Sequence, residues 1–347
     1  MSRFVTVDRQ STDYKKYLSG HFSKTEVALP VPVLEGPQRN SSITFQILSD
    51  SEIKKPNLAL ILLKLFRLDL LSFTLVPTLI VWMYCSEIVT NAEEWVLMLS
   101  IFFLHGAAFA FNDYFDHMQG RDHINEKSGS RLIQSGYVRA YQVLRAAWVL
   151  WSLAVVGGLY LSYYNPGILV FAALGAALGA LGSMYQFVGL KSIGFSDIAL
   201  VFALGPLLTL GTQYTITKNI TFPILVIGMI YGLLALVYSQ AKNLSTTMLD
   251  HQAGIRTISV RLGFDKAKSF LMLEVSSTIL LSLYVFKENY WIVPAFAAFV
   301  AFVIYKLNKV NSPISGPAQE FPFYVLKLHN IFSILCIIDW LIIRNMF

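Results

Sequence analysis

The run WVLMLSIFFLHGAAFAFNDYFDHMQGRD, residues 95–122, reads for most of its length as an apolar helix and then gathers Asn112, Asp113, Asp116 and Asp122 at one end. An ionisable side chain in hydrocarbon costs at least about 2.5 kcal/mol. Such a cluster therefore marks either an interfacial loop or a site that needs charge. The rest of the chain decides between them.

Of the 347 residues, 55% are hydrophobic and 14% charged, against about 25% charged in an ordinary soluble protein. This is the composition of an integral membrane protein. The net charge of +6 is spread between apolar runs and forms no basic cluster with interleaved aromatics, so no nucleic-acid partner is expected. Cys85 and Cys336 have neither CxxC nor Cys/His spacing, so neither a disulfide framework nor a zinc site is expected. Residues 1–56 hold no continuous apolar run, and no secretory signal is read there.

Apolar stretches recur at 58–84, 95–115, 142–161, 168–184, 198–214, 223–244, 270–286, 291–305 and 328–343. Each approaches the roughly 20 residues that cross a bilayer as a helix. No stretch alternates as a barrel strand would, and Gly, Ala and Ser recur inside the runs, as in AALGAALGALGS. The expected fold is an all-α membrane bundle of about nine transmembrane helices over residues 57–347. Residues 1–56 read as a flexible tail, with a short helix expected over 43–54.

Loop charge orients the bundle. Arg121, Lys127, Arg131, Arg139, Lys191, Arg256, Arg261, Lys266, Lys268, Lys306, Lys309 and Lys327 fall in the even-numbered connections, against Lys218, Lys287 and Arg344 on the other side. By the positive-inside rule the even connections and the N-terminal tail face the cytoplasm or its topological equivalent. The acidic end of the second span lies on that face.

On a helix Asn112 and Asp116 lie four apart and Asp113 and Asp116 three apart, so one patch presents several oxygens. Asp122 can fold back from a turn at Gly120. This outlines a hard-cation site, since Mg²⁺ takes one or two carboxylates plus phosphate oxygens and water. The sixth span ends similarly in YSQAKNLSTTMLDHQAGIRTISVRLG, with Asn243 and Asp250 two turns apart on one face. Two polar ends on one side suggest one shared cavity. The alternative is that these carboxylates are simply solvated where helices leave the membrane. His117, His123 and His251 suit no metal triad and read as solvated loop histidines, whereas His105 and His329 read as buried and hydrogen-bonded.

The segments NDYFDHMQGRD and SRLIQSG resemble the first Asp-rich motif of the UbiA superfamily of intramembrane prenyltransferases. In its Asn-Asp-Tyr-x-Asp-x-x-x-Gly-x-Asp form the motif looks most like the branch that prenylates 1,4-dihydroxy-2-naphthoate in menaquinone biosynthesis. FRLDLLSFTLVP is similar to the family's opening motif, keeping Arg67, Ser72 and Pro77. YQFVGLKSIGFSDIALVFALGPLLTLGTQY and AGIRTISVRLG resemble the segments after the fourth span and at the end of the second Asp-rich motif.

The resemblance implies that Mg²⁺ and a polyprenyl diphosphate are held in a central cavity while an aromatic acceptor is prenylated. By position, Asn112, Asp113, Asp116 and Asp122 would form a first metal site and Asp250 part of a second, with Asp113, Asp116 and Asp250 central to catalysis. Arg67, Arg131, Lys191, Lys242, Asn243 and Arg256 would meet the substrate. Alternative roles are open: Arg67 as a snorkelling residue paired with Asp69, and Lys191 and Lys242 as interfacial charges. The family's second motif has Arg and Asp where Ser245 and Thr246 stand here, so only Asp250 of its acids survives. The expected activity is transfer of a polyprenyl chain to 1,4-dihydroxy-2-naphthoate. Benzoate, homogentisate or a porphyrin-derived ring is the alternative acceptor, and a transporter or lipid-binding scaffold the alternative class.

Overall fold

Helix α4 (Ala92–Met118) forms where the sequence predicts the second span and lies along α5 (Ala140–Tyr164). Small residues set this contact: Ala107, Ala110, Ala140 and Ala147 are all buried in one cluster, so the backbones approach closely. The computed structural model describes residues 3–31, 42–85, 91–120, 122, 129–183, 196–252 and 256–346.

The stretch at 58–84, expected as one span, is divided. Helix α2 (Leu58–Leu65) stops, Arg67 takes a left-handed conformation at φ 47°, and after a 3-10 turn at Leu68–Leu70 helix α3 (Ser72–Cys85) begins. No Gly or Pro marks the break. What holds it is His105 of α4, whose Nε2–H donates to the Phe66 carbonyl at 3.0 Å while Nδ1 lies 3.0 Å from Thr74 Oγ1. That carbonyl would otherwise be an orphan at the helix end.

The chain continues through α6 (Ile168–Ser183), α7 (Ser196–Phe202), a π-helical turn at Ala203–Leu207, α8 (Leu208–Thr217) and α9 (Phe222–Gln252). It ends with α10 (Ile258–Leu262), α11 (Phe264–Val285), α12 (Ile292–Asn308) and α13 (Gly316–Met346). Among the described residues six helical stretches are long and apolar enough to cross a membrane, and the helices over 72–85, 168–178 and 292–308 are apolar but shorter. Large apolar side chains such as Leu153, Val156, Leu273 and Leu280 stay exposed on the outside, as a lipid-facing bundle requires.

Helix α9 is the axis. Its 31 residues span about 46 Å, more than the roughly 30 Å hydrocarbon core of a bilayer. Buried Tyr231 in its N-terminal third shares a hydrogen bond of 2.9 Å with Ser333 of α13. Gly205 of the π-turn packs into the notch formed by Gly228 and Gly232, closely enough that a Cβ there would lie 2.5 Å from the Gly228 carbonyl oxygen.

The N-terminal segment departs most from expectation. Instead of a flexible tail with a helix over 43–54, it forms strands β1 (Arg3–Asp8), β2 (Glu26–Pro30) and β3 (Ser42–Ser49) in an antiparallel sheet of order β1-β3-β2, with helix α1 (Thr12–Ser19) between β1 and β2. The reason is period-two burial. Ile43, Phe45 and Ile47 point to one face, where Val7 and Leu18 cover them, and polar residues alternate between. Among the described residues the membrane part is helical, and this small sheet is an addition to it.

Candidate functional site

The C-terminal ends of α4 and α9 meet at one cavity of ≈ 800 Å³. Its polar end is lined by Arg67, Asn112, Asp116, Lys242, Asn243, Thr246, Asp250 and Arg256. Most of its other lining residues are apolar, among them Leu97, Phe109, Trp151, Phe171 and Leu204. A charged head group with a hydrocarbon tail fits such a division.

Four residues apart on α4, Asn112 Nδ2 donates to Asp116 Oδ2 at 2.9 Å. Asp116 is buried yet borders the cavity. On α9 the Thr246 hydroxyl donates to Asp250 Oδ2 at 2.8 Å, again four residues apart. A hydroxyl thus orients the carboxylate from the position where the resembled motif has an acid. Arg67, held over the Phe109 ring at 5.4 Å and 3.6 Å from Asp69, brings a guanidinium to the same space. The pairing with Asp69 and the cavity placement hold together.

Asp113 and Asp122 sit behind this wall. Both carboxylates reach Gly129, where a Cβ would lie 3.1 Å from Asp113 Oδ1 and 3.3 Å from Asp122 Oδ2, and Gly129 itself lines the cavity. Asp113 accepts the Ser130 backbone N–H with both oxygens, at 3.2 and 3.3 Å. Asp122 lies beyond the turn at Gly120, whose φ of 76° reverses the chain, and Arg131 Nη1 donates to its backbone carbonyl at 2.7 Å. Lys191 and His123 lie outside the described residues.

His117 is a correction. It is not a solvated loop residue: it is buried, and its Nε2–H donates to the Leu18 carbonyl at 3.0 Å, because the N-terminal sheet module covers it. His251 is exposed. Residues not singled out from the sequence also border the cavity, notably Tyr238, Ser239 and Asp197, the last buried in the first turn of α7. A carboxylate beginning an apolar helix is the signal that could have found Asp197.

Among the described residues no group of three or more His, Cys, Asp or Glu forms a ready-made metal cage. The donors that border the cavity are oxygens from few carboxylates, Asp116, Asp197 and Asp250, beside the Asn112 and Asn243 amides. That is the donor set of a Mg²⁺ ion completing its shell with phosphate oxygens and water, and it is unlike a zinc or calcium cage.

Comparison with known proteins places the chain by family and fold. A 1,4-dihydroxy-2-naphthoate octaprenyltransferase of Haemophilus influenzae is 29% identical over 189 residues, covering 52% of this chain. The match spans 61% of that relative, less than two thirds of its length. A protein of the same name from Mycobacterium leprae is 27% identical over 206 residues, 58% of this chain and 68% of the relative. In fold the chain is similar to a UbiA homologue from Archaeoglobus fulgidus bound to DMAPP and Mg²⁺, with a TM-score of 0.58, 16% identity and coverage of 78% of this chain and 99% of that one. The apo structure of a UbiA homologue from Aeropyrum pernix gives a TM-score of 0.54 at 16% identity, over 82% and 98% of the two chains. The UbiA prenyltransferase family profile matches residues 74–331, and the chain belongs to that family.

Proposed function

We propose that the protein transfers a polyprenyl chain from its diphosphate to an aromatic acceptor, 1,4-dihydroxy-2-naphthoate first, at the cavity between α4 and α9. One observation carries the reading: acids from two helix ends and the cations Arg67, Lys242 and Arg256 face one space whose remaining walls are mostly apolar. The similarity to two naphthoate octaprenyltransferases supports the acceptor. The likeness in fold to the Archaeoglobus homologue, which binds DMAPP and Mg²⁺, supports the donor and the ion.

Asn112, Asp116 and Asp250 would hold Mg²⁺, with Asp113 and Asp122 behind them. When bound, the ion would neutralise charge on the diphosphate oxygens. Arg67, Lys242 and Arg256 take the remaining negative charge. Breaking the allylic C–O bond builds that charge on the departing diphosphate, so donors fixed in place favour the transition state over the ground state. Phe109, Trp151 and the leucines of the wall keep water from the cation until the acceptor ring carbon attacks it; the ring then regains aromaticity by releasing the proton or carboxyl group that carbon carried. To test this, the purified protein is incubated with a prenyl diphosphate, Mg²⁺ and a panel of naphthoate, benzoate, homogentisate and porphyrin-derived acceptors. A prenylated naphthoate product is expected by mass spectrometry; product only on another ring reassigns the acceptor, and none on any ring removes the reading.

Lys242 stands one position before Asn243 on α9 and borders the cavity. An ammonium there offsets the missing acid at Thr246 as a point charge on a phosphate oxygen. Lys242→Asn is expected to weaken prenyl-diphosphate binding by about 1.5 to 3 kcal/mol, the worth of a hydrogen bond to a charged group. Thr246→Asp in that background should recover part of it by recruiting metal. Unchanged affinity and unchanged Mg²⁺ dependence in Lys242→Asn would make the lysine incidental.

The mouth of the cavity and the N-terminus are assigned to the cytoplasmic side by loop charge. In a background with Cys85 and Cys336 replaced, an impermeant thiol reagent is expected to label Lys266→Cys from the cytoplasmic side and Asn219→Cys from the other. Reversed labelling would invert the topology.

A further inference from the structure

The N-terminal sheet module lies outside the segment matched by the family, which begins at residue 74, yet it touches the acidic site through an unbroken chain of hydrogen bonds. The Leu18 carbonyl can only accept, so His117 Nε2 must carry the proton of the 3.0 Å contact between them. In the neutral ring Nδ1 is then an acceptor, and Gln134 Nε2 lies 3.4 Å from it. The same Gln134 nitrogen donates to Asp122 Oδ2 at 3.0 Å. The amide's two hydrogens are thereby assigned, one to the ring and one to the carboxylate. A flipped amide would put Oε1 against a carboxylate oxygen and the ring lone pair, so the carbonyl of Leu18 selects the orientation that holds Asp122.

Asp122 needs such a fixture. It follows the left-handed Gly120 and is not carried by α4 itself, unlike Asp116. The module is also firmly seated. Met118, the last residue of α4, packs against the module core of Val7, Leu18, Ile43, Phe45 and Ile47. Arg139, which precedes α5, donates from Nη1 to the Ser23 carbonyl at 2.6 Å and from Nη2 to the Lys24 carbonyl at 2.5 Å. Gly136, at φ 71°, admits Ile53, Leu29 and Val27 against its backbone.

We propose that the N-terminal sheet module is a positioning element for the acidic site, acting through the Leu18 carbonyl, His117 and Gln134 to hold the Asp122 carboxylate beside Asp113 at Gly129. His117 and Gln134 are positioning residues; neither borders the cavity. The affinity for divalent metal in the presence of diphosphate therefore depends on a module that the matched family segment does not contain. The inference rests on the reading of the cavity as a metal and diphosphate site.

The test is a Mn²⁺ titration followed by electron paramagnetic resonance, with geranyl diphosphate present, on the full chain in detergent. Gln134→Leu removes the relay at its centre, and Arg139→Ala loosens the module without touching an acidic residue. Gln134→Leu is expected to weaken Mn²⁺ binding about tenfold, the equivalent of one hydrogen bond to a charged group. Arg139→Ala should weaken it by a smaller factor, about threefold, and the double variant should bind no worse than Gln134→Leu alone, because both act through one relay. At saturating Mg²⁺ the transfer rate of Gln134→Leu should return to within about twofold of the unaltered protein, which a folding lesion would not do. Unaltered Mn²⁺ binding in both single variants, or independent losses that multiply in the double variant, overturns the inference while leaving the cavity's function in place. If the unaltered protein binds no Mn²⁺ with geranyl diphosphate, the reading of the cavity fails and the inference falls with it.

Discussion

Asp116→Asn is expected to lower prenyl transfer by about 10²- to 10³-fold, the usual cost of removing one fixed group that stabilises transition-state charge. The substitution keeps the side chain's shape and an oxygen to accept the Asn112 Nδ2–H that now binds Asp116 at 2.9 Å. It removes only the charge. Because Asp116 borders the cavity and is absent from the apolar clusters of the bundle, the melting temperature in detergent should scarcely move. The loss should persist at saturating prenyl diphosphate, since a group needed for charge developing in the transition state acts on kcat. Turnover within about twofold of the unaltered protein at saturating Mg²⁺ would remove Asp116 from the site.

Gly205→Ala is expected to cost about 2 to 4 kcal/mol of stability, in the upper part of the usual range for overpacking and beyond it. The added carbon would lie 2.5 Å from the Gly228 carbonyl oxygen and 2.9 Å from the Gly232 Cα, and both are backbone atoms of α9. A side chain can swing aside; a helix backbone cannot. The π-turn would have to move off α9, carrying Leu204 and Leu207 out of the cavity wall. Gly175→Ala is the control, because its new carbon would meet only Leu104 Cδ2 at 3.8 Å, an ordinary contact. Thermal unfolding in detergent should separate the two variants, and equal melting temperatures would show that the Gly205 contact relaxes.

The bundle and the acidic ends of its helices are legible in the sequence because long-range packing does not decide them. Apolar length sets α4 and α9, and three-and-four spacing sets the Asn112 to Asp116 contact whatever lies nearby. Lys242, Asn243 and Asp250 reach the same cavity as Asp116 because both polar ends emerge on one side. The break at Arg67 is not legible. It depends on His105, which is 39 residues from Phe66 in sequence, and no local residue forces a left-handed turn there. The sheet module does leave a trace, since SITFQILS alternates apolar and polar residues, but its partner strands are remote and the alternation alone does not tell a strand from a tail. His117 escapes a sequence reading for the same reason: its partner, Leu18, belongs to that module.

Isothermal titration of a non-hydrolysable geranyl thiolodiphosphate into the detergent-solubilised full chain tests most directly whether α4 and α9 jointly hold one diphosphate. Saturable binding is predicted with Mg²⁺ present, lost on chelation and weakened at least about tenfold in both Asp116→Asn and Asp250→Asn, each of which removes one carboxylate from the shared cavity. Binding of equal strength without Mg²⁺, or unchanged by either substitution, would contradict the assignment of the cavity to prenyl diphosphate.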